Sequence, residues 1–193
     1  VLNDPESVAF KATVTLERHT YRRRRRDFDS TDPQPVLGIV TPAVSPDGNN
    51  IAFVALGDLW LLPIGGKPER LTEDSFFEIH PAWSSDGEQL VYACDRAGTI
   101  DLWIRNLRTG EDRQLTDLPG AETYPTWSPD NSLVAFSEGE GALKLVEVVS
   151  GKVTNLHAPL RGPGRATWSS DGTVVAVSAF NPYSSRFREG RND

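Results

Sequence analysis

Methionine is absent from the 193 residues, and cysteine occurs once, at Cys94. A lone cysteine cannot close an intrachain disulfide. Its place in the strand-like run Leu90-Val91-Tyr92-Ala93-Cys94 assigns it to the apolar interior, not to a reactive thiol. The opening Val1-Leu2-Asn3 has neither an initiator methionine nor the charged and apolar regions of a signal peptide, so a processed product or an excerpt of a longer chain is expected. No apolar run approaches the ~20 residues that a helix needs to cross a bilayer. Positive charge is the minority, 20 Lys and Arg against 27 Asp and Glu, and the resulting net charge of −7 argues against general binding to nucleic acid.

Catalytic motifs are missing as well. The three histidines, His19, His80 and His157, are far apart, and none forms a His-x-His or H-E-x-x-H arrangement. There is no G-x-S-x-G elbow. The acidic run Asp27-Phe28-Asp29-Ser30-Thr31-Asp32 lacks the glycine and terminal glutamate of a calcium loop. No metal, cofactor or catalytic residue is therefore assigned. His157 reads as a surface residue at a strand end, and His80, ahead of Pro81 where the chain enters a repeat, is the more informative of the two.

What is present is repetition. Four stretches align, AVSPDGNNIAFVA, AWSSDGEQLVYAC, TWSPDNSLVAFSE and TWSSDGTVVAVSA, with anchor serines at Ser45, Ser84, Ser128 and Ser169. The serines are 39, 44 and 41 residues apart. A repeat of about this length cannot bury its hydrophobic face alone and must stack on copies of itself. Each Ser-x-Asp turn leads into a β-rich run such as Ile51-Ala52-Phe53-Val54 or Leu133-Val134-Ala135-Phe136. A second run follows, Asp58-Leu59-Trp60-Leu61-Leu62, Asp101-Leu102-Trp103-Ile104 and, in the third copy, Leu143-Lys144-Leu145-Val146. Then come Gly-bearing turns at Gly65-Gly66, Thr109-Gly110 and Ser150-Gly151, and closing runs around Leu71, Leu115 and Leu156. With the run ahead of each serine, this makes four strands per repeat. Frequent Gly, Pro and β-branched residues, with no 3.6-residue period, exclude helical repeats.

The expected fold is all-β: a propeller of four-stranded antiparallel blades, seen as an incomplete set of about four. The expected blades are 38–74, 75–118, 119–159 and a partial one over 160–193, after an end of a preceding blade or a closing strand with an Arg-rich linker over 1–37. Because the Asp-Gly turns recur in every copy, Asp47 and Asp171 read as turn-formers and not as acids or ligands. Trp83, Trp127 and Trp168 share one position with Val44, and Trp60 and Trp103 share another, filled by Leu145 in the third copy. Exchange with Val and Leu points to packing between blades.

The pattern P-x-W-S-x-D-G, an apolar strand, D-L-W, a Gly turn and x-L-T resembles TolB-type propeller repeats from about Thr41 to Ala179. Such repeats also occur in tricorn-like and prolyl-oligopeptidase-like peptidases and beside some amidohydrolases. Tyr183-Ser184-Ser185-Arg186-Phe187-Arg188-Glu189-Gly190 is similar to a long loop of the amidohydrolase-linked kind. The resemblance implies about six blades in a full ring and a periplasmic or extracytoplasmic setting. The chain departs from the pattern at Val44, at Asn131 in place of Gly, and at Leu143-Lys144-Leu145 in place of Asp-Leu-Trp.

Function is expected on the loop face, where the loops into the first strand and between the second and third strands open. These carry Phe77, Glu78, His80, Asp95, Arg96, Glu122, Tyr124, Glu138, Arg161, Arg165, Tyr183, Arg186 and Arg188. They differ from blade to blade, as a binding surface on a repeated scaffold would, and equally as unconstrained loops would. Arg22 to Arg26, flanked by Asp27, Asp29 and Asp32, reads as a solvated segment. Val8 to Glu17 alternates as a half-buried strand, either ending a preceding blade or completing the last. Two functions stay open: a non-catalytic module that binds a protein or peptide, and an accessory or substrate-gating domain of a hydrolase whose catalytic part lies in a larger parent chain. Open end blades also predict self-association through their bare apolar faces.

Overall fold

The structure, a computed structural model, describes residues 31, 32, 36 and 38–180. The expected strand at Val8–Glu17, the arginine run, most of the acidic run and the Tyr183–Gly190 segment lie outside the described residues. The chain divides into two units, Val1–Pro35 and Val36–Asp193, and every described strand belongs to the second.

Three four-stranded antiparallel sheets follow one another along the chain. The first holds β1 (Ile39–Val44), β2 (Asn50–Ala55), β3 (Asp58–Pro63) and β4 (Glu69–Arg70). The second holds β5 (Glu78–Trp83), β6 (Gln89–Cys94), β7 (Asp101–Asn106) and β8 (Asp112–Gln114). The third holds β9 (Glu122–Trp127), β10 (Leu133–Glu138), β11 (Ala142–Glu147) and β12 (Val153–His157). A short pair, β13 (Thr167–Trp168) and β14 (Val175–Ala176), begins a fourth. In each full sheet the strands sit in sequence order, and the first strands touch, β1 with β5 and β5 with β9. This is the blade arrangement of an incomplete propeller. Among the described residues there is no helix, and hence none long and apolar enough to cross a membrane.

The turn between first and second strands explains the repeated Ser-x-Asp. Ser84 donates its hydroxyl to Asp86 at 2.6 Å and accepts the Gln89 amide at 2.9 Å, while Asp86 accepts the Glu88 amide. The same bonds recur at Ser45, Ser128 and Ser169. Each turn also needs one left-handed residue, supplied by Gly48, Gly87 and Gly172 at φ near 72° and by Asn131 at 61°. The asparagine is more than a tolerated substitute: its side chain accepts the Ser85 amide at 2.7 Å and donates to Asp86 at 2.9 Å, tying two adjacent turns together.

The core lies between blades, as stacking requires. Val54, Leu59, Tyr92 and Cys94 fill the first junction, with Leu71 and Trp103 against them. Val91, Leu102, Ile104, Trp127, Val134, Phe136 and Val146 fill the second, and Ala135, Leu143 and Ala166 the third. Cys94 is fully buried, and burial raises its thiol pKa to about 11, which leaves it inert.

The tryptophans do bridge blades, and through a polar contact too. Trp83 donates its indole N–H to the Ala43 carbonyl at 2.9 Å, Trp127 to Ala82 at 3.2 Å and Trp168 to Thr126 at 3.3 Å. Each acceptor is the residue just ahead of the corresponding position in the preceding blade. The second tryptophan position requires a correction. Trp60 pairs with Phe53 and Trp103 with Tyr92, and in the third sheet Phe136 pairs with Lys144, so Lys144 and not Leu145 fills that site. The loop between second and third strands is shorter in the third blade than in the second, and cross-strand pairing decides which residue sits where. Lys144 makes an ion pair with Glu138 at 2.7 Å in place of the ring.

Candidate functional site

Two of the sequence-selected loop residues are not on a surface at all. Glu78 and Glu122, at the heads of β5 and β9, are fully buried. Thr72 donates its hydroxyl to Glu78 at 2.7 Å and accepts the Leu59 amide at 2.9 Å. Thr116 bonds Glu122 and accepts the Leu102 amide in the same way. Both carboxylates thus latch one blade to the next, and they are corrected from binding residues to structural ones. Their position at the blade junction, where the x-L-T segment of one blade meets the next first strand, is the physical reason. Burial raises both carboxyls to about 7, against the threonine hydrogen bonds that lower them.

Asp95 and Arg96 serve the loops themselves. Asp95 accepts the Phe77 amide at 2.8 Å. Arg96 pairs with Asp74 at 2.9 Å and covers the Trp103 ring at 4.8 Å. Glu138 is taken up by Lys144. Arg161 is exposed, and its backbone carbonyl accepts the Phe180 amide. Tyr183, Arg186 and Arg188 lie outside the described residues. The turn aspartates are held below the ordinary carboxyl range by their serine hydroxyls first, Asp130 and Asp171 to about 2, so none can act as a general acid near neutrality.

The remaining three, His80, Tyr124 and Arg165, form a cluster with an origin hidden in the repeat. Each stands four residues ahead of its anchor serine, the position that Thr41 fills in the first blade. In every full sheet the first strand breaks register there, between Val40 and Ala43, between Ile79 and Ala82, and between Thr123 and Thr126. These are β-bulges, and the proline that follows in each (Pro42, Pro81, Pro125) has no amide to leave unpaired. Thr41, His80 and Tyr124 have φ of 47°, 58° and 56°, a left-handed conformation that non-glycine residues rarely adopt. Strain repeated in three blades re-aims one side chain per blade from the innermost strand.

The re-aimed side chains meet. The His80 and Tyr124 rings stack with centroids 4.0 Å apart. The Tyr124 amide donates to His80 Nδ1 at 3.4 Å, and the His80 amide donates to the Thr41 hydroxyl at 3.4 Å. Arg165 reaches past the third blade to donate to the Pro81 carbonyl at 3.2 Å. Burial, then the Arg165 charge, lowers the His80 pKa to about 4, so its imidazole is neutral. Such a group can hold a ligand but cannot serve as a base near its ordinary pKa. No group of three or more His, Cys, Asp and Glu capable of holding a metal occurs among the described residues. The sequence singled out His80, Tyr124 and Arg165 separately and missed Thr41. The alignment to the serine was the signal that joins all four.

A separate apolar cleft of about 540 Å³ opens between the third blade and the short fourth sheet, lined by Leu133, Leu143, Leu145, Trp168, Val175 and Val177. It is a stretch of inter-blade face, with no titratable group except His157 at its edge.

Known proteins share this architecture. The chain is 32% identical over 124 residues to the uncharacterized peptidase YuxL of Bacillus subtilis, an alignment covering 57% of this chain and 19% of that protein. It is 32% identical over 106 residues to the Tol-Pal system protein TolB of Desulfosudis oleivorans, covering 51% and 24%. These matches span less than a quarter of the relatives' length. Among solved structures, TolB from Acinetobacter baumannii superimposes with a TM-score of 0.66 at 24% identity, over 78% of this chain and 41% of that one. A puromycin hydrolase mutant superimposes with a TM-score of 0.62 at 20% identity, over 75% and 25%, and both likenesses are of fold. The family model of the TolB beta propeller domain matches residues 7–188, and with the blades, the turns and the inter-blade tryptophans already in place, the chain belongs to that family.

Proposed function

We propose that this chain is a non-catalytic propeller module that holds a protein or peptide at the loop-face end of its inner strands. The observation that carries the reading is the bulge cluster: three blades adopt a strained left-handed conformation to bring Thr41, His80 and Tyr124 together. Strain of this kind costs of order 1–3 kcal/mol per residue and persists where something else requires it. The stacked His80 and Tyr124 rings offer a rigid amphipathic face, and Tyr124 is 36% exposed. Similarity to a protein of the Tol-Pal system supports a partner-binding role.

The test is selection of peptides displayed on phage against the whole chain, followed by calorimetry. Tyr124→Ala is expected to weaken selected peptides about tenfold or more, as loss of a central aromatic anchor does. Arg108→Ala, on an exposed turn at the far end of the second blade, leaves them unaffected. Selection that yields nothing, or peptides indifferent to Tyr124, overturns the reading.

A second reading is favoured by the peptidase and puromycin hydrolase similarities: an accessory or gating domain beside a hydrolase, the same cluster then facing substrate on its way to a catalytic domain in the parent chain. In both readings these 193 residues turn over no ester, peptide or cyclic amide, and turnover abolished by one substitution within them would exclude both.

A further inference from the structure

The bulge cluster is built from hydrogen-bond donors. His80 Nδ1 is occupied by the incoming Tyr124 amide, which places the proton of the neutral ring on Nε2. Among the described residues Nε2 has no partner, although His80 is only 7% exposed, and it is not among the side-chain atoms sealed from solvent without a partner. Arg165 spends one nitrogen on the Pro81 carbonyl and has no carboxylate within ion-pairing distance among the described residues. The Tyr124 hydroxyl is likewise without a partner there.

We propose that the inner-strand cluster of His80, Tyr124 and Arg165 is a seat for a carboxylate of the bound peptide, either its chain end or an acidic side chain. A guanidinium presents a planar fork matched to two carboxylate oxygens, and the imidazole Nε2–H and phenol supply further donors beside it. The cluster contains no carboxylate and its one imidazole acceptor, Nδ1, is already taken by the Tyr124 amide, so an incoming ammonium finds no counter-charge there. The Arg165 charge is carried by the partial fourth blade while His80 and Tyr124 belong to the second and third, so the seat spans three blades. This inference rests on the peptide-binding reading and specifies the group that is recognised.

The experiment follows the His80 side-chain nitrogens by NMR in the ¹⁵N-labelled chain. Three probes are titrated: N-acetyl-diglycine, its C-terminal amide, and N-acetyl-Gly-Asp-Gly-amide. The acid is expected to shift the Nε2 resonance and the diglycine amide is not. A response to the aspartyl peptide as well identifies side-chain carboxylates as ligands, and its absence identifies the chain end. Arg165→Gln is expected to weaken the response about tenfold or more, with Arg165→Lys between the two, because charge is kept but the fork is lost. Arg165 is exposed, so an unchanged melting temperature separates lost recognition from lost fold. Equal response to acid and amide, no response to any probe, or full response in Arg165→Gln overturns the proposal. Peptides from the phage selection that bind Arg165→Gln at full strength overturn the carboxylate seat alone, and an empty selection overturns the wider reading.

Discussion

Thr72 donates its hydroxyl to Glu78 across 2.7 Å, and the two residues belong to different blades. Thr116 and Glu122 repeat the arrangement one junction later. The third junction has His157 and Pro163 at the corresponding positions, so neither a hydroxyl nor a carboxylate is available there. A side-chain latch thus closes the first two junctions and is missing from the third.

The latch makes stability depend on pH with an unusual sign. Glu78 and Glu122 have folded pKa values of about 7, raised above the ordinary 4.5 by burial. Between those values the folded state binds more protons than the unfolded one, so stability falls as pH rises. The contribution is full below pH 4.5 and lost as pH passes through about 7, at most about 3 kcal/mol per carboxylate. His80, lowered to about 4, works in the opposite direction below its ordinary 6.5, but it is one group against two. The melting temperature is expected to be higher at pH 5.5 than at pH 8. Glu78→Gln with Glu122→Gln should remove that difference or, with His80 left in place, slightly reverse it, and a wild-type melting temperature that climbs with pH would refute the assignment.

Thr72→Val keeps the shape of the side chain and removes both its hydrogen bonds. The Leu59 amide and the Glu78 carboxylate are then left short of a partner in a buried junction. Destabilisation of about 1–3 kcal/mol is expected in urea unfolding. Thr72→Ser should recover most of it, and a Thr72→Val protein as stable as wild type would show that water replaces the hydroxyl.

Gly141 and Gly98 share a φ of 105° but not their surroundings. A Cβ at Gly141 would stand 2.3 Å from the Leu160 carbonyl oxygen, whereas at Gly98 nothing lies within 4 Å. Gly98→Ala is expected to cost about 1 kcal/mol through backbone strain alone. Gly141→Ala adds a clash against backbone where the third blade meets the segment entering the fourth, and should cost clearly more. Parallel denaturation of the two variants decides this, and equal losses would contradict the packing described.

The His80 imidazole should remain neutral at pH 6, where an exposed histidine is largely protonated. Its pKa of about 4 follows from burial and from the Arg165 charge. Side-chain ¹⁵N shifts report the protonation state directly. Arg165→Gln should raise the pKa but leave it below 6.5, because burial is the larger cause. Titration near 6.5 in the wild-type chain would place His80 in solvent and dissolve the cluster.

Repetition makes the scaffold legible in the sequence itself. Four Ser-x-Asp turns recur because each blade must reverse direction over the same short distance, and local hydrogen bonds from Ser45 to Asp47 or Ser84 to Asp86 depend on little beyond neighbouring residues. The aligned tryptophans signalled contact between blades for the same reason. Counting along the sequence puts Leu145 at the second tryptophan position, whereas cross-strand pairing puts Lys144 there, because loops of unequal length shift the count. Glu78 and Glu122 looked like rim residues because sequence carries no record of which end of a loop turns inward. Their partners, Thr72 and Thr116, sit six residues earlier on the far side of a bend. The sequence marks His80, Tyr124 and Arg165 only by their shared offset of four residues from an anchor serine, and tertiary structure decides that they meet. Equivalent positions in separate blades are some 40 residues apart in the chain, and they become neighbours only when stacking brings the inner strands together and, in the second and third blades, a bulge re-aims His80 and Tyr124.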